Sequence, residues 1–573
     1  MRHGIRRLPA LWRASRLLRR WYHARFDAYP DWRSPVAADS ALWQSARKAG
    51  QGGPRVLMAT AIGSHAHAIT LESALAAALT FRGAEVHALI CDGAMSACAE
   101  CEASLYPDVA RFAERGPGPD LCRDCAWPAE RVYAELGLKV HRYTDWLTPA
   151  DRTEARRIAA EHSYDRIRNF TLDDLAIGEH AYAGALRFFA TGSLDAEPQA
   201  EPVLRRYLES ALVTAFASRR LIRAVGFTSV VVTHGIYVPW GITAEVARGE
   251  GVHLSTWNVA YRKRRFIFSH DDTYHHTLMT EPREHWEGRD LSAAQDRDLT
   301  KYLASRREGL FDWIVFHRAR RQDPEEIANR IGLDRTRPAI GVLTNVTWDA
   351  QLHYPANAFP NIVEWLVQTC EYFATRPDLQ LIIRVHPAEI SGFPPSRQPI
   401  LEQLRKRVPS LAPNIIVVPP GSDMSTYALM SLCDAAIIYG TKMGVELTSV
   451  GIPVIAAGEA WIRNKGLTYD ASSPAEYIRI LQRLPFGQRL GAGHVTRARR
   501  YAYHFFFNRM IPLPFIDPKA GFPIYRLKLD NLQQLLPGAS PGLDTICDGI
   551  LRRQPFILHA PERTPELAGT ASG

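Results

Sequence analysis

From residue 55 onward, short apolar runs alternate with longer amphipathic stretches. Residues 55–62 predict a strand, 71–82 a helix, 84–91 and 138–143 two further strands, and 228–233 a strand before a helix at 241–248. A second series repeats the alternation. It predicts strands at 339–344, 379–385, 414–418, 435–439 and 452–456, with helices at 359–374, 399–408, 426–432 and 443–449 between them. Strand, helix, strand order with near-continuous apolar strands is the signature of a parallel sheet covered on both faces. The fold class is therefore α/β, with two doubly wound, Rossmann-like domains at 50–290 and 337–500. Between them, 291–336 is charged and helical in pattern, as expected of a linker with an outer helix. An N-terminal arm covers 1–49. The stretch 501–573 is aromatic, broken by proline, and predicts a disordered end after Pro561. Two such sheets turn their carboxyl edges toward a shared cleft, where ligands of doubly wound sheets bind.

With 573 residues, 46% of them hydrophobic, the chain has material for two cores. The net charge of +9 is concentrated, because residues 1–26 hold eight arginines and no acid. The rest is nearly neutral, which argues against a nucleic-acid-binding enzyme, whose folded domains carry the basic footprint. In the arm, Leu8, Leu11, Trp12, Leu18, Tyr22 and Phe26 share a helical face opposite Arg6, Arg13, Arg16 and Arg20. Such a helix suits an anionic membrane surface, each arginine adding about 1 kcal/mol. An arm packed on the protein's own acidic surface and a cleaved presequence share this composition. No run approaches the roughly 18 apolar residues of a spanning helix. The expected location is cytoplasmic, peripheral at the inner face of the plasma membrane.

Four of the eight cysteines are scattered: Cys91, Cys370, Cys433 and Cys547. The others, Cys98, Cys101, Cys122 and Cys125, form two CxxC turns separated by twenty residues. That is the spacing of a four-thiolate tetrahedral site, most often zinc, with an iron–sulfur cluster or a dithiol pair as alternatives. Four thiolates leave no open coordination position, so the site is structural and pins an insertion at 95–127.

Candidate chemistry falls at strand ends. LIIRVHPAE (381–389) and YGTKMGVELTSVGIPVIAA (439–457) each pass from a strand into a turn at the cleft edge, where backbone N–H groups suit a phosphate. Gly440 and Gly444 allow close approach, Thr441 and Lys442 offer donors, Arg384 and His386 come from a neighbouring strand, and Glu446 is placed to accept ribose hydroxyls. The plainer alternative makes Gly440 a loop glycine and Glu446 a favourable acid in a first helical turn. In the first domain, GSHAHAITLES (63–73) puts His65 and His67 on the turn after the first strand, with Glu72 following. His65 is the leading general base, against the alternative that these histidines satisfy backbone groups or bind a phosphate. Asp92 and His234 are the reserves with Glu72, and Asp349 is a further donor contact. No DxD pair stands at a strand end, in keeping with metal-independent catalysis.

His386, Pro387, Thr441, Gly444, Glu446, Gly451, Pro453 and Val454, with the stretches 344–354, 72–93 and 233–241, resemble bacterial capsule polysaccharide biosynthesis glycosyltransferases, the group that includes Kdo transferases. The resemblance spans about 55–480. It implies a GT-B fold and transfer of a sugar from a nucleotide-sugar donor to a glycan or lipid-linked acceptor. YGTKMG replaces the serine-rich loop of that group, so neither a CMP- nor a UDP-activated donor follows. A polyol-phosphate transferase, a nucleotide-sugar epimerase and a non-catalytic glycan- or nucleotide-binding assembly protein share such a cleft.

Overall fold

A computed structural model describes residues 29–106, 108–313, 322–349, 357–392, 394–521 and 523–559. The expected membrane arm at 1–26 and the tail after Pro561 lie outside them. The first lobe is built on β1 (Arg55–Ala61), β2 (Glu85–Ile90), β3 (Lys139–Arg142), β4 (Ser229–Thr233), β5 (His253–Val259) and β6 (Arg265–His270). The second uses β7 (Ala339–Leu343), β8 (Gln380–Arg384), β9 (Ile415–Val418), β10 (Ala435–Ile438), β11 (Val454–Ala456) and β12 (Tyr469–Asp470). The chain then returns to the first sheet with β13 (Ile511–Pro512).

The first sheet runs β13-β6-β5-β4-β1-β2-β3, parallel from β3 through β5 and antiparallel at β6 and β13. The second runs β12-β11-β10-β7-β8-β9 and is parallel throughout. In both, the order reverses about the first strand of the series, between β1 and β4 and between β7 and β10. Each reversal opens a crevice at the strands' carboxyl ends. The strands follow from their composition: β4 (SVVVT), β7 (AIGVL) and β10 (AAII) are buried at every position, as strands covered on both faces must be.

Three boundaries differ from the sequence reading. Residues 29–49 belong to the first lobe: Trp32 and Trp43 are buried, and their indole N–H groups donate to Ser73 Oγ (3.0 Å) and the Leu136 carbonyl (3.1 Å). The expected linker contributes the helix Ala293–Ser305 to the second lobe, where Tyr302 packs edge-on to Phe506. The expected extension completes the first lobe. Beyond β13, Tyr525 is fully buried against Phe266, and the helix Pro541–Arg552 packs under β4 and β5. The apolar, aromatic character of 501–515 is that of a core segment, with Phe505, Phe506 and Phe507 all buried. The helices Ile177–Phe189 and Ala200–Val225, and the strands β5 and β6, lie beyond what the hydrophobic pattern predicts. Among the described residues no helix is long and apolar enough to cross a membrane.

The lobes touch directly. Tyr237 Oη donates to Asp349 Oδ1 at 3.1 Å, Gln398 Oε1 accepts from the Gly192 and Ser193 N–H groups at 2.8 and 3.1 Å, and His276 Nε2 lies 3.6 Å from Glu459 Oε2.

Candidate active site

The two reversal points hold the candidate residues. After β7, Asn345 Nδ2 donates to the Gly440 carbonyl after β10 at 2.7 Å, so the loops at the second crevice are stitched together. After β8, the His386 N–H donates to Thr344 Oγ1 (3.0 Å), and His386 Nδ1 accepts the Ala388 N–H (3.1 Å). An Nδ1 that accepts puts the ring proton on Nε2, which makes Nε2–H a donor suited to a phosphate oxygen.

Lys442 Nζ sits 4.6 Å from the centroid of the Tyr261 ring and 4.0 Å from Glu446 Oε1. Burial, with the nearby Arg306 charge, pushes its ammonium down to about 8. Glu446 is only 4% exposed, and its Oε2 accepts from Arg306 Nε at 2.9 Å and from Tyr427 Oη at 2.7 Å. Burial opposes its ionisation, yet Arg306 and then Lys442 outweigh that and hold the carboxyl below the usual range. Its Oε1 has no hydrogen-bond partner among the described residues. A buried, charged oxygen without a donor is costly, and a hydroxyl-bearing ligand would relieve it.

Two donor candidates are corrected. Arg384 is buried and bonded within its lobe, Nε to Thr426 Oγ1 (3.3 Å) and Nη1 to the Pro419 carbonyl (2.5 Å). Burial lowers its guanidinium to about 10, and it braces the strand ends. Gly444 is a packing glycine: a Cβ there would stand 2.7 Å from Ile438 Cδ1 and from Ile462 Cγ2. Thr441 Oγ1 accepts the Met443 N–H at 3.4 Å and stays in the turn, and the helix that follows has only seven residues.

In the first crevice, His65 caps the helix Ala66–Phe81, and His234 follows β4 in the left-handed region at φ 62°. The His65 ring is 30% exposed, edge-on to Trp240 (5.2 Å between centroids), with Nδ1 3.4 Å from Glu100 Oε1. His234 is pressed by burial, Arg187 and His65 down to about 3, and its Nδ1 has no hydrogen-bond partner among the described residues. A buried neutral imidazole of that kind is a poor base at neutral pH. His67 is committed elsewhere, accepting the Ile524 N–H on Nε2 at 3.0 Å; burial, with His65 beside it, takes it to about 3. Asp92 accepts from the Thr144 hydroxyl and its N–H and anchors the segment after β3.

Glu72 is corrected outright. Its carboxyl is fully buried within the lobe, accepts from Trp257 Nε1 at 2.9 Å, and is raised by burial to about 7, so it presents no oxygen to an acceptor.

The thiols gather beside His65. Cys98 and Cys101 Sγ are 3.9 Å apart, and Ser64 Oγ donates to Cys125 Sγ at 3.2 Å. No group of three or more metal-ligating side chains is assembled among the described residues.

Sequence reasoning misses Arg306, Tyr261, Tyr427, Arg187 and Glu100. Asn345 lies inside the 344–354 stretch, and Glu100 inside the first CxxC turn, so both carried a signal.

Residues 293–485 match the family model described as "Capsule polysaccharide biosynthesis protein". That segment holds the residues of the second crevice except Tyr261. No curated protein matches this chain. Among solved structures, the Thermosulfurimonas dismutans KpsC beta Kdo 2,4 transferase aligns at 14% identity over 48% of this chain and 79% of its own, with a TM-score of 0.31. The UDP-GlcNAc 2-epimerase of Neisseria meningitidis bound to UDP-GlcNAc aligns at 10% identity over 78% of this chain and 95% of its own, with a TM-score of 0.25. At these scores neither carries an argument about activity.

Proposed function

We propose that this protein is a glycosyltransferase of capsule or other surface polysaccharide biosynthesis, moving a sugar from a nucleotide-sugar on the second lobe to a glycan or lipid-linked acceptor on the first. The observation that carries the reading is the second crevice: the segment that matches the capsule family holds His386 with its proton on Nε2, the Lys442 ammonium, and a Glu446 Oε1 that accepts no hydrogen bond among the described residues and lies 4.0 Å from Lys442 Nζ. The first two suit the phosphate of a nucleotide and the third suits a sugar hydroxyl. As the glycosidic bond to the nucleotide breaks, negative charge grows on the leaving phosphate, where Lys442 and His386 stabilise it. Across the cleft, His65 is the base that removes the acceptor's proton.

Calorimetric titration with CMP, UDP, GDP and CDP, followed by turnover assays with sugars on the base bound most tightly, tests the reading. Failure to bind all four would overturn it, and tight binding without transfer would favour a non-catalytic assembly role.

The thiol corner is proposed as a structural zinc site. The 3.9 Å separation of Cys98 and Cys101 Sγ fits one edge of a tetrahedron with Zn–S bonds of about 2.3 Å. Cys122 and Cys125 would have to turn in to complete it. Elemental analysis of protein purified under reducing conditions decides: one zinc per chain supports it, and none refutes it. Residues 1–26 are proposed to hold the protein at an anionic membrane face, tested by comparing liposome binding with and without them.

A further inference from the structure

Within the first crevice, one carboxylate faces His65, and it comes from an unexpected place. Glu100 lies between the cysteines of the first CxxC turn, with Oε1 3.4 Å from His65 Nδ1. The turn that carries it is tied down on several sides. The Ala99 N–H donates to the Val238 carbonyl (2.9 Å), the Ala99 carbonyl accepts from Arg187 Nη1 (2.6 Å), and the Cys98 carbonyl accepts from Tyr207 Oη (3.1 Å). Those partners belong to the loop after β4 and to two different helices. His65 is fixed as firmly: its N–H donates to the Ile62 carbonyl (3.2 Å), and its ring abuts Trp240, whose indole donates to the Thr60 carbonyl (2.9 Å).

We propose that Glu100 is the positioning residue for His65, orienting the imidazole with its proton on Nδ1 and leaving Nε2 to take the acceptor's proton. The inference rests on the transfer reading above. A carboxylate on Nδ1–H selects the tautomer and stabilises the imidazolium that forms during reaction. In that step the acceptor O–H bond breaks and its proton moves to Nε2. The acceptor oxygen's electron pair forms the bond to the anomeric carbon, and the nucleotide departs with the electrons of the old glycosidic bond. The proton then passes from Nε2 to water. The other imidazoles nearby do not compete, since His67 Nε2 already accepts a backbone N–H and burial presses His234 down to about 3, which leaves it a weak base. The insertion thereby acquires a use beyond its own fold: it delivers a carboxylate to the base from outside the lobe's regular βα units.

The test pairs Glu100→Gln and Glu100→Asp with a spectroscopic readout on His65. In 15N-histidine-labelled protein, with the His65 resonances assigned by difference from His65→Gln, the parent should show the Nδ1–H tautomer. Glu100→Gln should shift His65 toward a tautomer mixture, and Glu100→Asp should keep part of the parent pattern. In turnover, Glu100→Gln should lower kcat by about 10- to 100-fold, below the roughly 10²- to 10⁴-fold of a lost base. KM for the donor should stay within about twofold, and Glu100→Asp should recover part of kcat. An unchanged His65 tautomer in Glu100→Gln, or full kcat in that variant, overturns the proposal. A tautomer shift in a protein whose parent form transfers no sugar upholds the pairing and overturns the glycosyltransferase reading instead.

Discussion

Arg306 and Glu446, 140 residues apart in the chain, meet at 2.9 Å with each side chain 4% exposed. The pair fixes one carboxylate oxygen and leaves the other turned toward Lys442. Removing one partner of a buried ion pair leaves an uncompensated charge, at a cost of about 3 to 5 kcal/mol. Arg306→Met should therefore lower the urea midpoint of the second lobe markedly, while Lys442→Met, which leaves the pair intact, should lower it far less. Comparable losses in the two variants would show that the pair is not the brace described.

The same pair sets a pH dependence. Glu446 is held below its unfolded value of about 4.3. Its contribution is therefore fully present above that value and is lost as pH falls through the depressed folded value. Denaturant titrations from pH 6 down to pH 3 should show a steeper loss of stability in the parent than in Glu446→Gln. Parallel curves would contradict the shift.

Donor binding should separate from stability. His386→Ala and Glu446→Gln each remove a hydrogen bond involving a charged group, typically about 1.5 to 3 kcal/mol, or roughly ten- to a hundredfold in affinity. Calorimetry on the preferred nucleotide reads this directly. Parent-like affinity in both variants would remove the second crevice as the donor site.

Glu72 behaves in the opposite sense to Glu446. Its folded value is raised to about 7, above about 4.3 when unfolded. The stability of the neutral form is thus complete below the unfolded value and is lost as pH rises through the folded one. Glu72→Gln keeps an acceptor for Trp257 Nε1 and carries no charge, so it should be more stable than the parent at pH 8 and close to it at pH 4. Denaturant midpoints at the two pH values decide, and a variant less stable at pH 8 would refute the assignment.

Gly444→Ala tests the packing role. With a Cβ 2.7 Å from two isoleucine methyl groups, overpacking should cost about 1 to 3 kcal/mol. The loss should appear in thermal unfolding. Unchanged stability would return Gly444 to the list of ligand contacts.

The central strands of both sheets were legible because strands covered on both faces read as unbroken apolar runs, whereas the two-residue β12 and β13 left no such run. Ala435–Ile438 against an expected 435–439 is typical. β5 (HLSTWNV) and β6 (RFIFSH) escaped because histidine, serine and asparagine interrupt them, and part of their cover comes from the returning C-terminal segment. Within the site, turns after strands marked His65, His386 and Lys442. Arg306 gave no local sign, since its importance lies in a partner far along the chain. Glu100 was hidden by its neighbours, because two flanking cysteines suggest a metal and draw attention away from the carboxylate between them. Glu72 misled for a related reason: one helical turn past His67 it looks catalytic, and only burial reveals otherwise.

The returning segment that supplies β13 has a consequence for how the protein is made. On the ribosome, residues 55–270 emerge long before 511–556, so the first lobe appears without its outermost strand, without Tyr525 against Phe266 and without the helix beneath β4 and β5. The second lobe, whose six strands lie between 339 and 470, emerges complete in its sheet while the first still lacks β13. The vectorial order in which an N-terminal domain is finished first is therefore not open to this chain, and the described residues from Ile511 onward act as the clasp that finishes what the chain began.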